Sequence, residues 1–191
     1  MDNSLFSTAV MMVDKVISHV TTHVMEVSTP CEAWNVKDLT NHLINELAWI
    51  APLLEGKTVQ EVGKSLDGDL IGDNAASSWL HYCELASKAI AQTSPDSITH
   101  LSYADKPAQA YVDEVAADII VHGWDLAMAL GVTYNIDDRT ASAVLNATKD
   151  IMPMARQGGF IGSEVTVSED ASELGKMLAA YGRASGWGRS A

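Results

Sequence analysis

The chain has 191 residues, 47% apolar and 19% charged, which suits one globular domain with a real core and excludes a disordered chain. Twelve Lys and Arg against 25 Asp and Glu give a formal charge of −13. With no basic run, that balance argues against nucleic acid and against an anionic membrane surface as partners.

Aromatic residues make up only 6%, and Ala, Leu, Met and Glu recur at helical spacing, so an all-α protein is expected. Phe6, Val10, Val13, Val16, Val20 and Val24 form one stripe and predict a first helix over about 4–27, closed by Pro30. Asn35, with Asp38 three residues on, predicts the capped start of a second helix over about 36–55. Its buried face reads Val36, Leu39, Leu43, Leu47 and Leu54. Residues 56–73 are rich in Gly and charge and read as a loop.

A third helix is expected over about 75–92, with Trp79, Leu80, Cys83, Ala86 and Ile90 inward. After a polar connection at 94–106, a fourth runs over about 109–130 and stops at Gly131. A fifth is expected over about 139–156. The run EVTV after Gly158 and Gly159 leaves room for one small hairpin. A last helix is expected after Asp170, with Glu173 completing a capping box, ending near Tyr181. The expected architecture over 1–191 is a single domain: a four-helix bundle with extra C-terminal helices in an appendage at about 137–191.

No basic n-region opens MDNSLFSTAV and no segment reaches membrane-spanning length, so a cytoplasmic location is expected. Cys31 and Cys83 stand far apart and outside any CxxC pattern, which disfavours a disulfide. If a metal is bound, His and carboxylates must hold it.

The stretch ADIIVHGWDL, residues 117–126, reads as helix interior yet carries three ionisable groups. Asp118 and His122 are one turn apart and leave the same helix face. On the second helix, NHLINEL sets His42 beside the apolar stripe with Glu46 one turn on. Two imidazoles and a carboxylate leave an open position on a tetrahedral ion, the arrangement of a catalytic zinc site. Nickel or iron tolerates the same donors. Spacing alone equally allows an i, i+4 ion pair and a core histidine.

The segments TPCEAWNVKDLTNHL, ADIIVHGWDLAMALG and EDASELGKMLAAYGRASGW, in that order, resemble the DinB-like family that includes mycothiol-dependent maleylpyruvate isomerase, and more closely its small actinobacterial metal-binding branch. The shared pattern is TPC-x-x-W-x-V-x-D-L-x-x-H-L followed by D-x-x-x-H-x-W-D-L-A. The resemblance implies a DinB-like bundle with His42, Asp118 and His122 as metal ligands, zinc first and nickel as alternative. Characterised isomerases have glutamate where this chain has Asp118, and a larger C-terminal domain for which 191 residues leave no room.

What the resemblance implies is therefore a reaction class: a thiol such as mycothiol acts as cosubstrate, with isomerisation or S-transfer on a small electrophile. Three alternatives stay open. They are a non-catalytic metal- or small-molecule-binding bundle, a homodimeric interaction protein, and a metal-dependent hydrolase that uses no thiol. Glu46 reads as a fourth ligand, a general base or a solvated carboxylate. Asp125 reads as an acceptor orienting a ligand histidine or as an ordinary salt-bridge partner. Trp34 and Trp124 read as packing anchors, Cys31 as a small apolar group, and Arg183 and Trp187 as tail-docking residues. The acidic surface fits poorly with an anionic substrate, although charge at a pocket need not follow the net.

Overall fold

The computed structural model describes residues 1–184 and 186–187. Among them are eight helices and one two-stranded hairpin. Helices α1 (Ser4–Ile17), α2 (Val36–Leu54), α4 (Ala75–Gln92) and α5 (Ala108–Leu130) form the bundle. α1 packs on α5, α5 on α2, α2 on α4 and α4 on α1, which closes the ring. The all-α expectation holds. No helix among the described residues is long and apolar enough to cross a membrane.

α5 is the central element. It is buried nearly all round, from Tyr111 to Ala127, because α1, α2 and α6 (Asp138–Thr148) all pack on it. Gly123 makes the α1 contact close: a Cβ there would fall 2.7 Å from Val13 Cγ2 and nearer still to the Tyr134 hydroxyl. Gly131 ends the helix in the left-handed conformation at φ 67°, as a C′ glycine does. α2 starts on the expected capping box, Asn35 Oδ1 accepting from Asp38 N–H and Asp38 Oδ2 from Asn35 N–H.

Five local expectations are corrected. α1 stops at Ile17 instead of running to 27. Val20, Thr21 and Thr22 are β-branched and disfavour helix, yet Val20 and Val24 keep the period by packing on the core from turns. Leu80 is exposed, since the inward face of α4 follows Trp79, Cys83, Ala86 and Ile90. The helix expected over 139–156 breaks after Thr148, because Pro153 cannot continue it and instead sits in the first turn of a separate α7 (Met152–Gln157). The last helix, α8 (Glu173–Ala180), is capped by Ser172 and not Asp170. The hairpin also lies elsewhere: β1 (Ile98–His100) pairs antiparallel with β2 (Asp105–Pro107) inside the expected polar connection, and EVTV forms no strand. A single-turn α3 (Val59–Val62) interrupts the long loop after α2.

Candidate metal centre

Helix α2 carries His42 to the face of α5 that presents Asp118 and His122. One ligand atom from each of the three lies within 4.8 Å of the others. Both imidazoles aim Nε2 at the one carboxylate, His42 at 3.0 Å from Oδ2 and His122 at 3.5 Å from Oδ1. The rings meet edge to face with centroids 4.7 Å apart.

The loop before α2 covers them. Thr29 Oγ1 donates to the Trp34 carbonyl and accepts from Cys31 N–H, folding TPCEAW into a tight turn. That turn sets the Trp34 ring 4.7 Å from His42 and 5.5 Å from His122. Trp34, expected as a packing anchor, therefore packs on the donor set itself.

Behind His122 stands Asp125, buried completely. His122 Nδ1 lies 3.0 Å from Asp125 Oδ2. With Nδ1–H donating there, Nε2 keeps its lone pair toward Asp118, as a metal-binding imidazole requires. Arg183, from the chain after α8, forks onto the same carboxylate: Nη2 donates to Oδ2 at 2.8 Å and Nε to Oδ1 at 3.3 Å. Arg183 Nη2 also donates to Cys31 Sγ, whose thiol donates to Asp125 Oδ2 at 3.3 Å. Cys31 thus belongs to a polar cluster. The Arg183 contact was beyond sequence reasoning, although GRASGW lies in the third quoted segment and was the available signal.

Burial opposes the charge on Asp118, but His122 and His42 outweigh it and hold the carboxyl at about 2. Burial likewise works against His42, and Asp118 overcomes it, raising the ring to about 9. Burial, with Asp118 adding to it, pushes Glu46 up to about 7. Glu46 Oε1 is 4.0 Å from His42 Nδ1, outside the convergent group. Cys31, His122 and Asp125 also lie at ligand spacing. That second group is a poor donor set: burial and Asp125 push the Cys31 thiol up to about 12, and Arg183 already engages the carboxylate.

The donor set His42, Asp118 and His122 fits a divalent ion. It combines two imidazole nitrogens, which a metal would bind in their neutral form, with one ionised oxygen donor, and it opens onto a cavity of about 240 Å³ that Glu46, Asp118 and His122 help to line. The model of one protein family, the mycothiol maleylpyruvate isomerase N-terminal domain, matches residues 13–127. The chain belongs to this family. The matched segment contains all three donors together with Trp34, Glu46 and Asp125 but ends before α6, α7 and α8.

Two curated relatives, Uncharacterized protein MT0763 and Uncharacterized protein Rv0738, each from a strain of Mycobacterium tuberculosis, are 27% identical over 128 residues. The alignment covers 65% of this chain, and the chain spans 64% of the length of those relatives. No solved structure matches the chain.

Proposed function

We propose that this family member is a thiol-dependent metalloenzyme acting on a small electrophile, with a divalent ion held by His42, Asp118 and His122. The observation that carries the reading is the convergence of three donors, one already ionised, at the edge of a cavity able to admit small molecules. Zinc suits the donors best, and nickel shares them. An ion with an exchangeable position lowers the pKa of a coordinated thiol and so supplies a thiolate nucleophile.

The chain's own residues supply the rest. Asp125 fixes the His122 tautomer, and Arg183 balances the charge of Asp125. Trp34 shields the imidazoles from bulk water. Glu46, on the cavity wall beside His42, is placed to take up the proton a thiol loses. The family's name supports mycothiol or a related low-molecular-weight thiol as cosubstrate, with isomerisation or S-transfer as the outcome. The partner is a small molecule, and the charge of −13 supports leaving nucleic acid and anionic membranes aside.

Turnover of a panel of electrophiles with and without mycothiol, before and after chelation, tests the reading. Consumption that needs both thiol and metal is expected. Hydrolysis that proceeds without thiol would replace it with the metal-dependent hydrolase.

A further inference from the structure

Much of the wall of the cavity beside the donors is apolar. Leu101 and Val115 build it together with Ile151, Met152 and Ile161, the last three from segments beyond residue 127, where the family match ends. An apolar cavity of about 150 Å³ takes up benzene, so one of about 240 Å³ has room for a six-membered ring with a substituent.

Tyr103, Tyr111 and Tyr181 line the same cavity, and two of their hydroxyls are committed. Tyr103 donates to Glu114 at 2.6 Å, and Tyr181 donates to Thr148 Oγ1 at 2.8 Å. The Thr148 hydroxyl in turn donates to the Val144 carbonyl. Tyr111 differs from both. It is only 6% exposed, yet its hydroxyl meets no hydrogen-bond partner among the described residues. The fully enclosed hydroxyls without a partner are those of Thr40, Thr99 and Tyr134, so the Tyr111 hydroxyl meets open space, and the open space its side chain lines is the cavity. Glu46 and Glu114, the carboxylates whose charge acts on it, line that cavity too.

A phenol buried this far costs stability unless something satisfies it. Burial, with Glu46 adding to it, pushes the Tyr111 hydroxyl well above 10, so its proton stays in place at neutral pH and is free to be donated. Tyr111 also precedes Asp118 by two turns of α5, which puts both on one helix face about 10 Å apart along the axis. A ring-sized ligand spans that gap with an oxygen at Tyr111 and its other end at the donor set.

We infer that Tyr111 is a ligand-binding residue, its hydroxyl donating a hydrogen bond to the carbonyl-type oxygen of a ring-sized ligand held against the apolar wall. A catalytic consequence follows only under the thiol-dependent reading. There the thiolate sulfur bonds the β carbon of an enone, the C=C pair shifts to join the α carbon to the carbonyl carbon, and the C=O pair moves onto oxygen. Tyr111 stabilises the charge that develops on that oxygen. The proton that Glu46 took from the thiol then goes to the α carbon, which restores the carbonyl.

Cyclohex-2-en-1-one and 3-methylidenecyclohexene, in which CH2 replaces the carbonyl oxygen, test the binding role. Both are titrated into the full chain by NMR without thiol, as purified and after chelation. Tyr111→Phe is expected to weaken the enone about threefold to tenfold in both forms and to leave the hydrocarbon unchanged. The carbonyl stretch of the bound enone should rise in frequency in the variant, and the thermal midpoint should equal or exceed that of wild type. Tyr181→Phe, which breaks the bond to Thr148, should lower the midpoint and leave the ratio of the two affinities as it was.

Unchanged enone affinity in Tyr111→Phe, an equal loss for both ligands, the same change of ratio in Tyr181→Phe, or no binding of the enone to folded wild type would each overturn the inference. Failure to take up zinc, or an absence of thiol-dependent turnover, with the selective loss intact would remove the proposed chemistry and leave the binding role standing.

Discussion

Arg183 reaches across the fold to Asp125, its Nη2 2.8 Å from one carboxylate oxygen and its Nε 3.3 Å from the other. The pair joins the chain after α8 to the centre of α5, and Asp125 in turn holds Nδ1 of His122. Asp125 has no exposed surface and the Arg183 side chain is 9% exposed, so neither charge has water to fall back on. Removing one partner strands the other. Arg183→Ala is expected to cost about 3–5 kcal/mol in urea denaturation of metal-free protein. In zinc competition titrations the same variant should bind about 10- to 100-fold more weakly, because the support of a ligand histidine is lost. Unchanged zinc affinity would show that Arg183 only anchors the chain end.

Gly123 lies next to His122 at a close contact between α1 and α5. Gly123→Ala places a methyl against Val13 and Tyr134 and is expected to cost about 1–3 kcal/mol by overpacking, despite alanine's better helix propensity. Thermal denaturation of the variant checks the sign. A gain in stability would mean that the two helices separate more easily than the packing implies.

The metal-free protein should lose stability toward alkaline pH. His42 is raised from 6.5 to about 9, so its stabilising contribution is fully present below pH 6.5 and fades as pH rises through 9. Asp118 is lowered from 3.8 to about 2, so its contribution is present above pH 3.8 and fades as pH falls toward 2. Urea midpoints of chelated wild type should therefore fall between pH 7 and 9.5. His42→Asn should flatten that slope, and an identical slope in the variant would place the titrating group elsewhere.

Neither thiol should behave as a nucleophile in the native state. Burial, aided by Asp125, pushes Cys31 up to about 12, and burial also pushes Cys83 up to about 12. Modification by an aromatic disulfide at pH 8 is expected to be at least roughly 100-fold slower than in urea-unfolded protein. Rapid labelling of Cys31 would contradict the hydrogen bonds that hold it.

Much of this architecture was legible because local signals agreed. Asn35 and Asp38 announce the start of α2, and Gly131 announces the end of α5. The i, i+4 spacing put Asp118 and His122 on one helix face, while the grouping of His42 with them came from the family resemblance, and the fold brings the three within 4.8 Å. What stayed hidden depends on contacts distant in sequence or on competition between signals. The valine period ran on past Ile17 because Val20 and Val24 reach the core from turns, which periodicity alone cannot distinguish from a helix. The helix expected over 139–156 ran through Pro153, which instead sits in the first turn of α7. The pairing of Arg183 with Asp125, and the cavity wall formed by Ile151, Met152 and Ile161, are set by how α6 packs on α5 and α8 on α6. No spacing rule in the sequence encodes that return.

The central claim is that these ionisable groups gather to hold an ion. Elemental analysis of protein purified without an affinity tag, beside His122→Ala and Asp118→Ala, tests it most directly. About one zinc or nickel per chain in wild type, lost in both folded variants, is the predicted result. Wild-type protein that is folded, metal-free and unable to take up added zinc or nickel would contradict it, leaving Asp118 as no more than the ion-pair partner of two histidines.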